Sequence, residues 1–238
     1  MKLPSTAGFL PSIVELGGGS VNDFIPTLDT VTVGVPQQEN GIRPARALPY
    51  EVNVHATVNP AKNTVALQFI NTGTATVVFQ VRSGNPADVV RSYTVEPGKQ
   101  LSDTWHFASL YDLSVYGPNG FLRSFRGSVG PHASVLDVTS RYGTQWRGAI
   151  AFAITNLANA QAEVSVLDAY TGKSVTRLLN PQQTFEDGLT LDEFGGWYDL
   201  IVSVSGDATF RYQIAGHVET GTDSISDPAL GGLVTLRG

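Results

Sequence analysis

Beyond residue 50, apolar and polar residues alternate with a period of two along most of the chain. Tyr50, Val52, Val54 and Ala56 share one side of a run whose other side is Glu51, Asn53, His55 and Thr57, the pattern of a strand that buries one face. Val65, Leu67 and Phe69 continue it, Asn71, Thr72 and Gly73 break it, and Ala75, Val77, Phe79 and Val81 resume it, which predicts a hairpin. Tyr93 and Val95 begin another short run, ended by Glu96, Pro97 and Gly98. Tyr111, Leu113 and Val115 then lead through the turn Gly117 to Gly120 into a return strand. Phe121, Arg123 and Phe125 lie on one face of that strand, and Leu122, Ser124 and Arg126 on the other.

The pattern then comes round again. YDLSV at Tyr111 to Val115 returns as YDLIV at Tyr198 to Val202, an offset of 87, and the run from Thr64 to Val81 lies against Ala149 to Val166 at an offset of 85. In that alignment Asn71 matches Asn156, Phe79 matches Val164 and Val81 matches Val166. Downstream, Phe125, Arg126 and Gly127 are set against Phe210, Arg211 and then Gly216. The second copy has its own inward sets: Ile150, Phe152 and Ile154; Ala160, Ala162, Val164 and Val166; Tyr198, Leu200, Val202 and Val204; Phe210, Tyr212 and Ile214. Short strands about ten residues apart, joined by turn chemistry, bury their apolar faces by packing sheet on sheet. The expectation is an all-β chain of two tandem antiparallel β-sandwich, immunoglobulin-like domains: 46–130 as the first repeat, and 131–238 as the second with a C-terminal tail.

Residues 1–45 read as a linker or extended arm, with GGGS at Gly17 to Ser20, Pro26, Pro36 and Pro44 and no sustained periodicity. Within it, Val31, Val33 and Val35 alternate and suit an added edge strand. At the far end ETGTDSISDPALGG reads as a polar loop, and LVTLR as one last short strand.

Composition narrows the function classes. A hydrophobic content of 42% in 238 residues is ample for packed cores, and low charge (15%) with frequent Gly, Thr, Val and Ser suits strands. The net charge of −6 argues against a broad nucleic-acid footprint. The chain has no cysteine, so disulfides, thiolate metal sites and a cysteine nucleophile are excluded. No apolar run approaches the ~20 residues that span a bilayer, and any export signal is expected outside these residues. The histidines His55, His106, His132 and His217 form no HxH, HxxxH or HExxH pair, and no serine sits in a GxSxG elbow. GGGS lacks the Lys-Ser/Thr of a phosphate loop. No catalytic residue, cofactor or metal site is therefore expected.

Three groups remain as candidates. In the hairpin LYDLSVYGPNGFLRSFRG, the structural reading makes it the closing hairpin of a β domain, with one arginine paired to Asp112. The functional reading gathers Tyr116, Phe121, Arg123 and Arg126 into a basic-aromatic surface for lipid phosphate or choline. Glu219, Asp223 and Asp227 could offer oxygens to calcium, but they lack the EF-hand spacing and read more simply as a solvated loop. Trp105, Trp146 and Trp197 suit a sugar or lipid platform, or, more commonly, the sealing of sandwich edges; Trp197 is expected to be structural.

IRPARALPYEVNV (Ile42 to Val54), YTVEPGKQLSDTW (Tyr93 to Trp105), the hairpin itself, GWYDLIVSVSGD and AGHVETGTDSISDPAL closely resemble the C-terminal region of the bacterial phosphocholine-preferring phospholipases C. The resemblance runs from about Gln37 to the end. It implies two copies of a small domain that follow a large N-terminal phosphoesterase domain, related to acid phosphatases, which carries the catalysis and whose motifs are not in these residues. On that basis the chain is expected to be a non-catalytic accessory region of a secreted or periplasmic bacterial phospholipase C. It would pack on or tether the catalytic domain, its chief partner, and aid engagement of a phospholipid membrane or a partner protein, with no role in nucleic-acid binding. The alternative is a stand-alone lipid- or carbohydrate-binding β-sandwich module.

Overall fold

A computed structural model describes residues 39–130, 133–142 and 149–238. The glycine run Gly17 to Ser20, the alternation Val31/Val33/Val35, His132 and Trp146 lie outside them. Sixteen strands follow one another: β1 (Pro44–Ala45), β2 (Val52–Asn59), β3 (Thr64–Asn71), β4 (Val77–Ser83), β5 (Arg91–Val95), β6 (Lys99–His106), β7 (Leu110–Tyr116), β8 (Leu122–Ser128), β9 (Leu136–Tyr142), β10 (Ala149–Asn156), β11 (Ala162–Asp168), β12 (Ser174–Leu179), β13 (Thr184–Thr190), β14 (Trp197–Val204), β15 (Asp207–His217) and β16 (Ser224–Ile225). All pairings are antiparallel.

The all-β sandwich expectation holds, with one addition. The strands of each repeat divide into a three-stranded sheet, β2-β3-β6 or β9-β10-β13, and a four-stranded set, β5-β4-β7-β8 or β12-β11-β14-β15; the two four-stranded sets join edge to edge, β8 against β15, into a single eight-stranded sheet. Joining two edges in this way covers backbone donors and acceptors that isolated sandwiches would leave open to other chains. Across the layers, Phe69 of β3 meets Phe79 of β4 at 5.4 Å and Tyr93 of β5 at 4.4 Å between ring centroids. The buried apolar side chains of both repeats form one contiguous cluster.

The matched asparagines explain themselves. Asn71 and Asn156 are fully buried at the ends of β3 and β10. Asn71 Nδ2 donates to the carbonyls of Ala75 (2.8 Å) and Val95 (2.9 Å), and Asn156 Nδ2 donates to those of Ala160 (2.8 Å) and Leu179 (3.0 Å). Each amide thus ties its hairpin turn to the edge strand of the opposite sheet, satisfying groups that burial would otherwise leave unpaired.

The return strands need a different alignment from the Phe-Arg match. Tyr111 pairs with Gly127, and Tyr198 with Gly216, so the two glycines are equivalent at an offset of 89. Phe121 then corresponds to Phe210, Arg123 to Tyr212 and Phe125 to Ile214. An insertion of two residues shifts the frame, and a register irregularity between Ser203 and Val204 marks it. In the β8–β15 ladder Ser124 faces Gln213, Arg123 faces Ile214 and Phe125 faces Tyr212, so an approximate twofold passes through the Ser124/Gln213 pair.

At the termini of the described unit, β1 pairs with β16. Gly41 N–H donates to the Gly231 carbonyl, which lays the first described residues along the tail. The last strand expected at LVTLR does not form; Arg237 N–H instead donates to the Ala169 carbonyl. Ser224–Ile225, within the polar loop, provides the last strand instead.

Candidate functional site

The closing hairpin turns on Asn119 and Gly120, both in the left-handed region (φ 57° and 70°), the requirement of a tight two-residue turn whose twist matches its strands. A side chain at Gly120 would meet Trp197 Cζ3 at 2.6 Å, so this turn packs directly on the second repeat. Its return strand carries Arg123 into the seam between the repeats. Arg123 is 1% exposed, and its guanidinium lies 4.2 Å from the Phe121 ring centroid and 5.7 Å from that of Tyr198.

No carboxylate among the described residues pairs with it; neutral acceptors hold the charge instead. Nη1 donates to the carbonyls of Leu122 (2.9 Å) and Ala215 (2.8 Å). Nη2 donates to Asn53 Oδ1 (3.1 Å), Ser140 Oγ (3.4 Å) and Tyr198 Oη (3.1 Å). Nε has no partner among the described residues. Because β2, β8, β9, β14 and β15 all supply contacts, this one side chain fixes both sheets of both repeats. Its dyad mate, Tyr212, is likewise buried and bonds the Tyr111 hydroxyl at 2.9 Å, so the pair Arg123–Tyr198 in one half is mirrored by Tyr212–Tyr111 in the other.

The seam continues between β2 and β9. Ser140 Oγ donates to Asn53 Oδ1 (2.8 Å), Asn53 Nδ2 donates to the Ser140 carbonyl (3.0 Å), and Tyr142 Oη donates to the Val52 carbonyl (2.9 Å). Burial pushes the hydroxyls of Tyr142 and Tyr212 well above the usual tyrosine range and that of Tyr111 up to about 12, so all three stay neutral donors. His55, 3.4 Å from the Ser140 carbonyl, is held below its usual value by burial, with nearby Arg123 adding to the effect and the Ser140 bond opposing it.

The turn of the closing hairpin clasps the second repeat. Asn119 Nδ2 donates to Glu219 Oε1 (2.6 Å), which also lies 3.0 Å from His217 Nδ1, while Leu48 N–H donates to Glu219 Oε2 (2.9 Å). His217 Nε2 faces the Gly195 carbonyl at 2.9 Å. At the second repeat's own turn the bonds stay within that repeat: Asp207 accepts from Ser134 Oγ (2.7 Å) and Thr209 Oγ1 (2.6 Å). Burial raises Asp207, but these hydrogen bonds outweigh it and hold the carboxyl below its usual range.

These positions correct the basic-aromatic surface. Phe121 (4% exposed) and Arg123 face inward, because a strand's alternate residues share a face and these two alternate with the core residue Phe125. Tyr116 (45% exposed) remains at the surface, with Arg82 5.6 Å from its ring. Arg126 is exposed and pairs with Asp112 at 3.3 Å, as the structural reading of the hairpin supposed. The acidic tail residues do not converge: Glu219 is in the clasp, Asp227 accepts from Tyr170 Oη (2.7 Å), and Asp223 is exposed. Among the described residues no three metal-ligating side chains cluster. Trp197 is buried with Nε1 donating to the Ile225 carbonyl (2.9 Å), and Trp105 is buried under Arg91; both are sealing residues.

A seam of this kind, with hydrogen-bonded edges, a buried cation and a hairpin turn clasped by the second repeat, defines a pseudo-symmetric pair of β-sandwiches built as one unit. The chain belongs to the family of the bacterial phospholipase C C-terminal domain, whose model matches it twice, over residues 44–128 and 132–217. It is 39% identical over 239 aligned positions to a non-hemolytic phospholipase C of Burkholderia pseudomallei, covering 96% of this chain and 33% of that protein. A non-hemolytic phospholipase C of Pseudomonas aeruginosa is 37% identical over 210 positions (83% and 30%), and a hemolytic one from the same organism is 33% identical over 223 (82% and 30%). The chain thus spans about a third of the length of these relatives.

Proposed function

We propose that this chain is the accessory C-terminal region of an exported bacterial phospholipase C, packing on or tethering a phosphoesterase domain that holds the hydrolytic centre. The observation that carries the reading is the match itself: a chain that aligns with a third of a phospholipase C, over segments matching its C-terminal domain family twice. The two repeats are read as 46–130 and 131–238, joined by the seam into one docking body. The hairpin acts from inside, as the structural link between them. The face left for a membrane or a partner protein is the outer side of the eight-stranded sheet, where Tyr116, Arg82 and Arg126 are exposed.

The purified chain is expected to leave a chromogenic phosphocholine ester unhydrolysed and to co-purify with the separately produced phosphoesterase portion of its parent. Turnover by the chain alone, or no association with that portion, overturns the reading. Sedimentation with phosphatidylcholine and sphingomyelin vesicles tests the membrane role. A Tyr116→Ala/Arg126→Ala variant is the suitable control, because changes at Phe121 or Arg123 would disturb the core instead.

A further inference from the structure

The two repeats differ where their sheets meet at the outer edge. In the first repeat Arg91 of β5 faces Val81, and Asp103 and Trp105 of β6 face Leu67 and Val65, so all three point between the layers. The Arg91 guanidinium lies 3.8 Å from the Trp105 ring centroid, and its Nη1 donates to Asp103 Oδ2 at 2.8 Å. Tyr93 Oη donates to the same oxygen. Burial raises Asp103, but the bonds from Tyr93, the Thr104 amide and Arg91 outweigh it and hold the carboxyl below its usual range. Arginine, tryptophan and carboxylate together close this edge.

The second repeat keeps the acid and loses the other two. Val175, facing Val166, stands where Arg91 does; Leu189, facing Ile150, stands where Trp105 does; and Asp187, facing Phe152, stands where Asp103 does. The shorter aliphatic side chains leave a cleft of about 400 Å³, lined by Val175, Leu189, Asp187, Phe152 and Trp197, with Glu193 and Lys173 also on its wall. Among the described residues no lysine or arginine forms an ion pair with Asp187. The nearest arginine in register, Arg177 (the counterpart of Tyr93), is turned onto the Phe185 ring at 5.1 Å and donates to the Thr176 carbonyl.

We propose that this cleft receives an arginine side chain from a partner polypeptide. The guanidinium bonds Asp187 and its stem lies along Val175 and Leu189, remaking between two proteins the contact that Arg91 makes within the first repeat. The choice of arginine rests on that internal precedent: the same carboxylate, at the same register, is met by a planar guanidinium over an apolar floor, a geometry an ammonium does not reproduce. The cleft's volume falls in the range of sites that enclose a side chain with its flanking residues.

The test is a titration of the ¹⁵N-labelled chain with acetyl-Gly-Arg-Gly-amide, read at the amides of Gly188, Leu189 and Thr190. Saturable shifts are expected, with the lysine and citrulline peptides binding more weakly. Asp187→Asn, a change at an exposed residue, is expected to lower the arginine peptide's affinity about fivefold, near the upper end for an exposed ion pair. A Val175→Arg/Leu189→Trp variant, which refills the edge with the first repeat's residues, is expected to abolish the shifts. No saturable shifts with the arginine peptide, equal binding of the lysine peptide, or an unchanged affinity in Asp187→Asn overturns the proposal.

Discussion

Replacing Arg123 with lysine is expected to destabilise the protein more than replacing it with methionine, although lysine keeps the charge. The four N–H groups on Nη1 and Nη2 of Arg123 face five acceptors, and the side chain has no ion-pair partner among the described residues. A lysine ammonium carries its donors on one atom and can stand in for only one of the two nitrogens, so at least the two bonds of the other are lost while the charge stays buried. At about 1.5–3 kcal/mol for each bond to a charged group, the lysine variant loses about 3–6 kcal/mol. Methionine removes the desolvated charge along with the bonds, which offsets part of the loss. Several acceptors also re-pair: Asn53 Oδ1 still accepts from Ser140 Oγ, and Tyr198 Oη keeps its contact with Tyr142 Oη at 3.1 Å. The Leu122 and Ala215 carbonyls lose a donor, at about 1–2 kcal/mol each, so a net cost of about 1–3 kcal/mol is expected. Urea unfolding followed by tryptophan fluorescence and far-UV circular dichroism reads both variants. A lysine variant within 1 kcal/mol of the parent on the ~1.4 kcal/mol-per-decade scale, or more stable than the methionine variant, would refute the argument that bond satisfaction decides at this site. Splitting of the single transition in the lysine variant would locate the damage at the seam.

Gly127→Ala is expected to cost about 1–3 kcal/mol, because a Cβ there would meet the Tyr111 hydroxyl, with Tyr111 Cζ at 2.6 Å, and overpacking a fixed core is destabilising; thermal unfolding of Gly127→Ala with and without Tyr111→Phe should show partial rescue when the hydroxyl is removed. His55 supplies a pH dependence. Its folded value lies below the unfolded one because of burial, so the unfolded chain takes up the proton first. That contribution to stability is full above about 6.5 and is lost as the pH falls through that value towards the folded one. Unfolding free energies measured at about pH 7.5 and about pH 5.5 should fall less in His55→Gln than in the parent; equal losses would rule His55 out.

The central strands were legible because each packs one face against the opposite layer: β3, β4, β7, β10, β11 and β14 all carry the inward apolar sets read from the chain. The edge strands β6 and β13 were harder to read. Their inward positions include Asp103 and Asp187, and a carboxylate on the buried side interrupts the apolar period that marks a strand. A strand at an edge tolerates this because the acid can reach a cation or water at the rim. The same interruption, compared between repeats, is what reveals the cleft, so the signal was present in the sequence but had no meaning without the register.

The amino-acid sequence determined the all-β class, the repetition and the tight Asn-Gly turn, because period, offset and backbone preference are local properties of the chain. The joining of β8 to β15, the twofold at Ser124 and Gln213, and the burial of Arg123 were decided by tertiary structure. A polar side chain on an inward register position reads as a surface residue until its acceptors are known. Those of Arg123 come from residues 53, 122, 140, 198 and 215, which only the closed seam brings to one point.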